Sequence, residues 1–181
     1  MSEGIKEYFI HNSTMALIPI WLKGNELGTK VLEEGGELIV HCKPLTIITS
    51  SCMYYGSSYK GRKDATMELI HINRKPPIAI NPLDNLYFFP SLSPTQEQCG
   101  WFSQSHIANF RKSAYNQSEI TFLNGKKIVY GISKNTLEVQ LSRTSILQSV
   151  LSKHFGTARK SPYRHHSRMN LSFISEEHNH L

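Results

Sequence analysis

Asn124-Gly125 sits between two short runs of strand-forming residues, Ile120-Thr121-Phe122-Leu123 and Lys127-Ile128-Val129-Tyr130. An Asn-Gly pair supplies the positive φ angles of a type I′ turn at little steric cost, so the spacing predicts an antiparallel hairpin. The same pattern recurs upstream. Residues 8–11, 14–20 and 29–33 are β-branched or aromatic runs broken by Asn, Gly and Lys. Residues 37–41 follow a Gly35-Gly36 turn, residues 86–89 stop at Pro90, and residues 66–72 alternate as a half-buried strand does. This many short runs predicts a mainly β (α+β) fold, an antiparallel sheet or barrel-like core.

One long C-terminal helix is expected over residues 136–155. Asn135 is placed to cap it, with Glu138 three residues on as a capping-box partner. Leu137, Leu141, Ile146, Leu147, Val150, Leu151 and Phe155 fall near helical spacing, and Gly156 is a natural stop. That stripe either closes the core or serves dimerisation. Residues 1–156 therefore read as a single β-rich domain, and residues 157–181 as a basic tail expected to be disordered. Leu171, Phe173 and Ile174 form a small apolar island in that tail.

The chain has 181 residues with 20 Lys+Arg against 14 Asp+Glu. The distribution carries more information than the excess. Residues 1–37 hold six acids and three bases, residues 43–75 six bases and two acids, and residues 143–168 six bases and no acid. An acidic front with basic segments behind it suggests a polar molecule with one basic face. No apolar run reaches the roughly 18 residues that span a bilayer. The start, Met1-Ser-Glu-Gly-Ile-Lys-Glu, lacks the pattern of a signal peptide, so a cytoplasmic protein with no membrane partner is expected. Cys42, Cys52 and Cys99 are an odd, widely spaced set that reads as reduced thiols.

The segment from Ser51 to Lys63 interleaves small, aromatic and basic residues. Gly56 and Gly61 allow close approach of a backbone, and Ser57 and Ser58 offer hydroxyls and N–H groups. Lys60, Arg62 and Lys63 supply charge, while Tyr54, Tyr55 and Tyr59 supply rings. Phosphates take Lys, Arg and N–H groups, and bases accept rings and Arg forks, so the segment is read as a nucleic-acid-binding loop. Arg74-Lys75, just before Pro76-Pro77, is a second basic pair that joins the same patch if the two segments are neighbours. The ordinary alternative is an exposed basic turn. A phosphate-binding P-loop is excluded, because the chain has no GxxxxGK[ST].

Ser51 to Lys63, then Lys75-Pro76-Pro77-Ile78, Phe88-Phe89-Pro90-Ser91-Leu92-Ser93 and Gln98-Cys99-Gly100-Trp101 resemble, in order and spacing, the signature of the ComK competence transcription factors. Phe122-Leu123-Asn124-Gly125-Lys126 falls where that family has its Asn-Gly hairpin. The resemblance covers roughly residues 40–135. It implies a cytoplasmic, nucleoid-associated activator of DNA-uptake genes. It implies binding to A/T-rich double-stranded DNA through the minor groove, and assembly as a dimer or tetramer. RNA polymerase and a Clp-protease adaptor are the further partners it implies, and no cofactor. Narrow A/T minor grooves attract Arg and Lys, which suits a short basic loop tip better than a recognition helix.

Other chemistries are poorly served. Cys99 in Gln96-Glu97-Gln98-Cys99-Gly100-Trp101 lacks the downstream length that a papain-type His and Asn require, and reads as a turn with Trp101 in the core. His165, His166, His178 and His180 lie in the tail without cysteines at zinc-finger spacing. Between Glu37 and Glu97 the only carboxylates are Asp64, Glu68 and Asp84, too few for a two-carboxylate hydrolase or a metal-dependent nuclease. No enzyme is expected. The remaining alternative is a barrel that binds single-stranded nucleic acid on Tyr54, Tyr55 and Tyr59.

Overall fold

The computed structural model describes residues 5–160. Its nine strands are β1 Thr14–Trp21, β2 Leu27–Glu33, β3 Gly36–Val40, β4 Ile78–Asn81, β5 Leu86–Pro90, β6 Trp101–Ser103, β7 Ile107–Lys112, β8 Ser118–Phe122 and β9 Lys127–Tyr130. Its three α-helices are α1 Pro44–Tyr54, α2 Tyr59–Leu69 and α3 Lys134–Lys160. The first six strands form one sheet in the order β3-β2-β1-β6-β5-β4, and β7-β8-β9 form a second. Every pairing between these strands is antiparallel. The fold is mainly sheet with a long C-terminal helix, as expected, and has two further helices.

The large sheet is covered on both faces, which explains why its central strands are so apolar. Alternate residues serve alternate layers. Leu17, Phe88 and Trp101 join Ile47, Ile48 and Cys52 of α1 in one core. Ala16, Phe89 and Phe102 join Ile120 and Phe122 of the small sheet and Leu137 of α3 in another. A third, smaller cluster seats Leu147 of α3 on Ala79 and Tyr87, with Leu69 at the end of α2 beside it. The two sheets are also tied at their rims. Lys126 meets the Glu37 carboxylate at 2.8 Å, and the Asn124 amide donates to the Glu34 carbonyl at 3.0 Å.

Several local expectations are corrected. Residues 8–11 are not paired into a strand. Residues 66–69 of the expected strand 66–72 belong to α2, and of the expected loop 56–63 only residues 56–58 connect two helices, while Tyr59 to Lys63, with all its basic residues, open α2. The Asn124-Gly125 hairpin forms, but only Gly125 has positive φ, at 84°. The Gly125 N–H reaches the Phe122 carbonyl at 2.9 Å, and the Phe122 N–H reaches the Lys126 carbonyl at 2.9 Å. These bonds define a three-residue loop, a type I turn followed by a left-handed glycine, in place of the two-residue turn.

At the start of α3 the cap is Ser133, two residues before the expected Asn135. Its Oγ accepts the Thr136 N–H at 3.2 Å. Glu138 pairs instead with Lys134, one turn back at 3.4 Å. Helix α3 also runs through Gly156 to Lys160, since glycine permits a stop without compelling one. Residues 157–160 of the expected tail are therefore helical, while 161–181, with the apolar island and the tail histidines, lie outside the described residues. Ser133→Ala is expected to lower unfolding stability by about 1 kcal/mol, and Asn135→Ala to leave it unchanged. Urea titration of both variants distinguishes the two caps.

Candidate nucleic-acid interface

The basic segment is built on a tight helical elbow. Lys43 precedes α1 and Pro44 opens it, where a missing N–H costs nothing. Gly56 closes α1 with φ +76°. The Ser57 N–H returns to the Cys52 carbonyl at 2.9 Å and the Gly56 N–H to the Met53 carbonyl at 3.0 Å, the paired bonds of a Schellman stop. Two residues later Ser58 caps α2, its Oγ accepting the Gly61 N–H at 2.9 Å. Gly56 is required by the left-handed turn, whereas Gly61 lies inside the first turn of α2.

The elbow sorts its side chains. Tyr59 turns inward, its ring edge against Trp101 with centroids 6.4 Å apart, and burial pushes its hydroxyl up to about 12. Tyr55 donates to the Ile10 carbonyl at 3.0 Å. Tyr54 is exposed and stacks on Phe9 at 4.8 Å. All three rings are therefore engaged by the protein itself, Tyr54 alone remaining exposed. Lys60 is exposed and paired with Asp64 at 2.5 Å, one turn along α2. Arg62 is half-buried, with a buried Nε that has no hydrogen-bond partner. Burial drives the Cys52 thiol up to about 11, and the Arg62 charge draws it partly back, which places this cation against the inner layer.

Lys63, one residue further, reaches the Arg74-Lys75 pair. Tyr59, Lys63, Asn73, Arg74 and Lys75 line one groove of about 460 Å³, whose other edge is the segment Ser93 to Gln96. The connection from α2 to β4 is tightly turned, with His71 and Lys75 both in the left-handed region at φ 53° and 48°. Helix α3 holds it there. The Gln140 Nε2 donates to the Lys75 carbonyl at 3.1 Å and to the Pro90 carbonyl at 2.7 Å, and Arg143 Nη1 donates to the Arg74 carbonyl at 3.2 Å. Arg143 thereby brings a fourth cation beside the turn. Among the described residues, none of Lys63, Arg74, Lys75 and Arg143 forms an ion pair within 4.0 Å.

Of the residues at this groove, the sequence singled out Tyr59, Lys63, Arg74 and Lys75 as candidates, and not Asn73, Gln96, Gln140 or Arg143. The available signal was a polar break in the apolar stripe of α3, where Gln140 and Thr144 are buried between Leu137 and Leu147. A polar residue at a core-facing position implies a partner that needs it.

The residues weighed for catalysis are accounted for structurally. Cys99 is buried and burial raises its thiol, the reverse of what a nucleophilic thiolate needs. Trp101 is fully buried, as the sequence predicts. Among the described residues no cluster of three His, Cys, Asp or Glu side chains forms a metal site, and no helix is long and apolar enough to cross a membrane.

Comparison with known proteins agrees with the motifs. A family model described as "ComK protein" matches residues 5–156. The chain is similar to the "Competence transcription factor" of Bacillus subtilis (strain 168), 38% identical over 145 residues, which is 80% of this chain and 75% of that protein. No solved structure matches.

Proposed function

The chain belongs to the ComK family, and from that premise we propose that it is a transcription regulator of competence genes that binds A/T-rich duplex DNA through the groove at Lys63, Arg74 and Lys75. One observation carries the reading. Lys63, Arg74 and Lys75 line one groove, Arg143 reaches the Arg74 carbonyl beside it, and none of the four forms an ion pair within 4.0 Å among the described residues. Like charges held together in a folded protein are unfavourable, and a polyanion relieves that cost. A row of phosphates releases counterions as it binds them, and the electronegative minor groove of A/T sequence attracts the same side chains.

Of the other expected contacts Tyr59 lines the groove, whereas Ser57, Ser58, Lys60 and Arg62 are not among its lining residues. Ser58 caps α2, Ser57 closes α1 through its backbone, and Arg62 has a buried Nε. Lys60 offers a charge already shared with Asp64. Assembly as a dimer or tetramer over paired boxes, with no catalytic step, completes the proposal.

The test is binding of the full chain to duplex carrying A/T boxes spaced by whole helical turns, against a G/C-rich control, at several salt concentrations. Lys63→Ala and Lys75→Ala are each expected to flatten the plot of log K against log salt by about 0.9. Lys60→Ala is expected to change it less, because Lys60 is held in an ion pair by Asp64 and is not among the residues lining the groove. Slopes unchanged in both Lys63→Ala and Lys75→Ala would remove the groove from the interface. Preference for single strands in competition would favour the stacking alternative, with exposed Tyr54 as its platform.

A further inference from the structure

Lysines that meet phosphates position a duplex without reading its bases, and the groove's other edge, Ser93 to Gln96, presents uncharged side chains. The connection from β5 to β6 is clasped at its base. The Ser91 N–H donates to the Gly100 carbonyl at 2.9 Å, and the Gly100 N–H donates to the Ser91 Oγ at 2.9 Å. Tyr130 braces it, its hydroxyl donating to the Gln98 carbonyl at 2.7 Å. A Cβ at position 100 would meet that hydroxyl at 2.6 Å, so any larger residue forces Tyr130 out of this brace.

Within the loop two turns follow each other. The Gln96 N–H reaches the Ser93 carbonyl at 2.9 Å, and the Cys99 N–H reaches the Gln96 carbonyl at 3.0 Å. Both backbone polar groups of Gln96 are therefore fixed. Its side chain is exposed, lines the same groove as Lys63, Arg74 and Lys75, and makes no hydrogen bond among the described residues. Asn73, on the facing connection, is likewise exposed in the groove with a free amide.

We infer that Gln96, assisted by Asn73, is the residue with which this groove distinguishes one base pair from another. The inference rests on the DNA-binding reading above and goes beyond it. Phosphate contacts position a protein on duplex and carry no sequence information, while amides are among the side chains that read groove edges. In the minor groove an A·T pair presents only the acceptors A N3 and T O2, which an amide NH₂ satisfies. A G·C pair adds the G N2 amino group, a donor that stands between an amide NH₂ and those acceptors and can pair only with the amide oxygen. The doubly anchored backbone at Gln96 fixes the point from which its amide extends into the groove, which lowers the ordering cost of binding.

The experiment compares the full chain with its Gln96→Ala, Asn73→Ala and Lys63→Ala variants on A/T-rich and G/C-rich duplexes of equal length, by fluorescence anisotropy over a salt series. Gln96→Ala is expected to lower the A/T-to-G/C affinity ratio roughly tenfold. The loss should fall on the A/T duplex alone, with the salt slope unchanged, and the retained G/C affinity reports that the variant is folded. Asn73→Ala should lower the ratio less. Lys63→Ala should weaken both duplexes and lower the salt slope by about 0.9, which Gln96→Ala does not. An unchanged ratio in Gln96→Ala, or an equal loss on both duplexes, overturns the assignment while leaving the DNA-binding reading intact. Failure of the wild-type chain to bind either duplex overturns both.

Discussion

The Lys63→Glu/Lys75→Glu double variant is expected to bind duplex DNA about two orders of magnitude more weakly than the wild type near physiological salt, with its unfolding midpoint in urea unchanged or raised. Each lysine removed from a phosphate forfeits one counterion release, and each glutamate added repels the backbone it now faces. The folded protein loses nothing comparable. Neither lysine forms an ion pair within 4.0 Å among the described residues, and Arg74 and Arg143 remain beside the reversed charges. Reversal therefore relieves a cationic crowd in the free protein while it destroys the attraction to a polyanion. Anisotropy titrations at three salt concentrations, set beside a urea titration, read the two effects separately. A variant that binds normally would show that the groove faces no nucleic acid. A variant that unfolds early would show that the lysines are structural.

This separation of binding from stability follows from how the two kinds of charge in α2 are placed. Lys60 is paired within its own helix to Asp64, and Arg62 is drawn inward to the layer of Cys52 and Tyr87. Only Lys63 is directed to the turn at Arg74-Lys75. Four charges within five residues of sequence thus do three different things, because successive helix positions point about 100° apart.

That is also where legibility in the sequence ends. The strand runs at residues 14–20, 29–33 and 86–89 were readable because alternation and β-branched residues report a sheet directly. Helix α1 was not. Its Leu45-Thr46-Ile47-Ile48-Thr49 run favours strand by local propensity, yet Ile47, Ile48 and Cys52 are buried against the large sheet and Ser51 Oγ accepts the Ile10 N–H at 2.9 Å. Tertiary burial outweighs a propensity difference of a few tenths of a kcal/mol per residue. The C-terminal part of α2 was misread because Thr66-Met67-Glu68-Leu69 alternates for so few residues that period two and period 3.6 coincide. The basic patch could be seen as composition, but its geometry could not. Arg143 lies 69 residues beyond Arg74, and only the seating of α3 brings its guanidinium to the carbonyl of that residue. The amides of Asn73 and Gln96 carried no signal at all until both appeared in the same groove.

Gln140→Leu is expected to lower unfolding stability by about 2 kcal/mol and to weaken duplex binding by about tenfold, although it removes no charge. The Gln140 amide is the donor that both the Lys75 and Pro90 carbonyls use, at 3.1 and 2.7 Å, from a side chain that is almost wholly buried. Leucine has nearly the same volume, so no cavity opens. Two carbonyls nevertheless lose their donor, at roughly 1–3 kcal/mol for each that water cannot reach. Part of that loss is offset, because the Gln140 Oε1 is itself buried without a partner and disappears with the substitution. The effect on binding has a separate origin. Lys75 is held at φ 48°, a conformation that costs a residue with a side chain about 1–3 kcal/mol when nothing enforces it. With Gln140 gone, the free protein relaxes out of that turn, and DNA must restore it at the expense of affinity; 1.4 kcal/mol is a factor of ten. The salt slope should stay near that of the wild type, since the same cations reach the same phosphates once bound. Weakened binding with an unaltered slope separates a lost scaffold from a lost charge. A slope that falls by about one would instead mean that Lys75 no longer reaches the backbone at all.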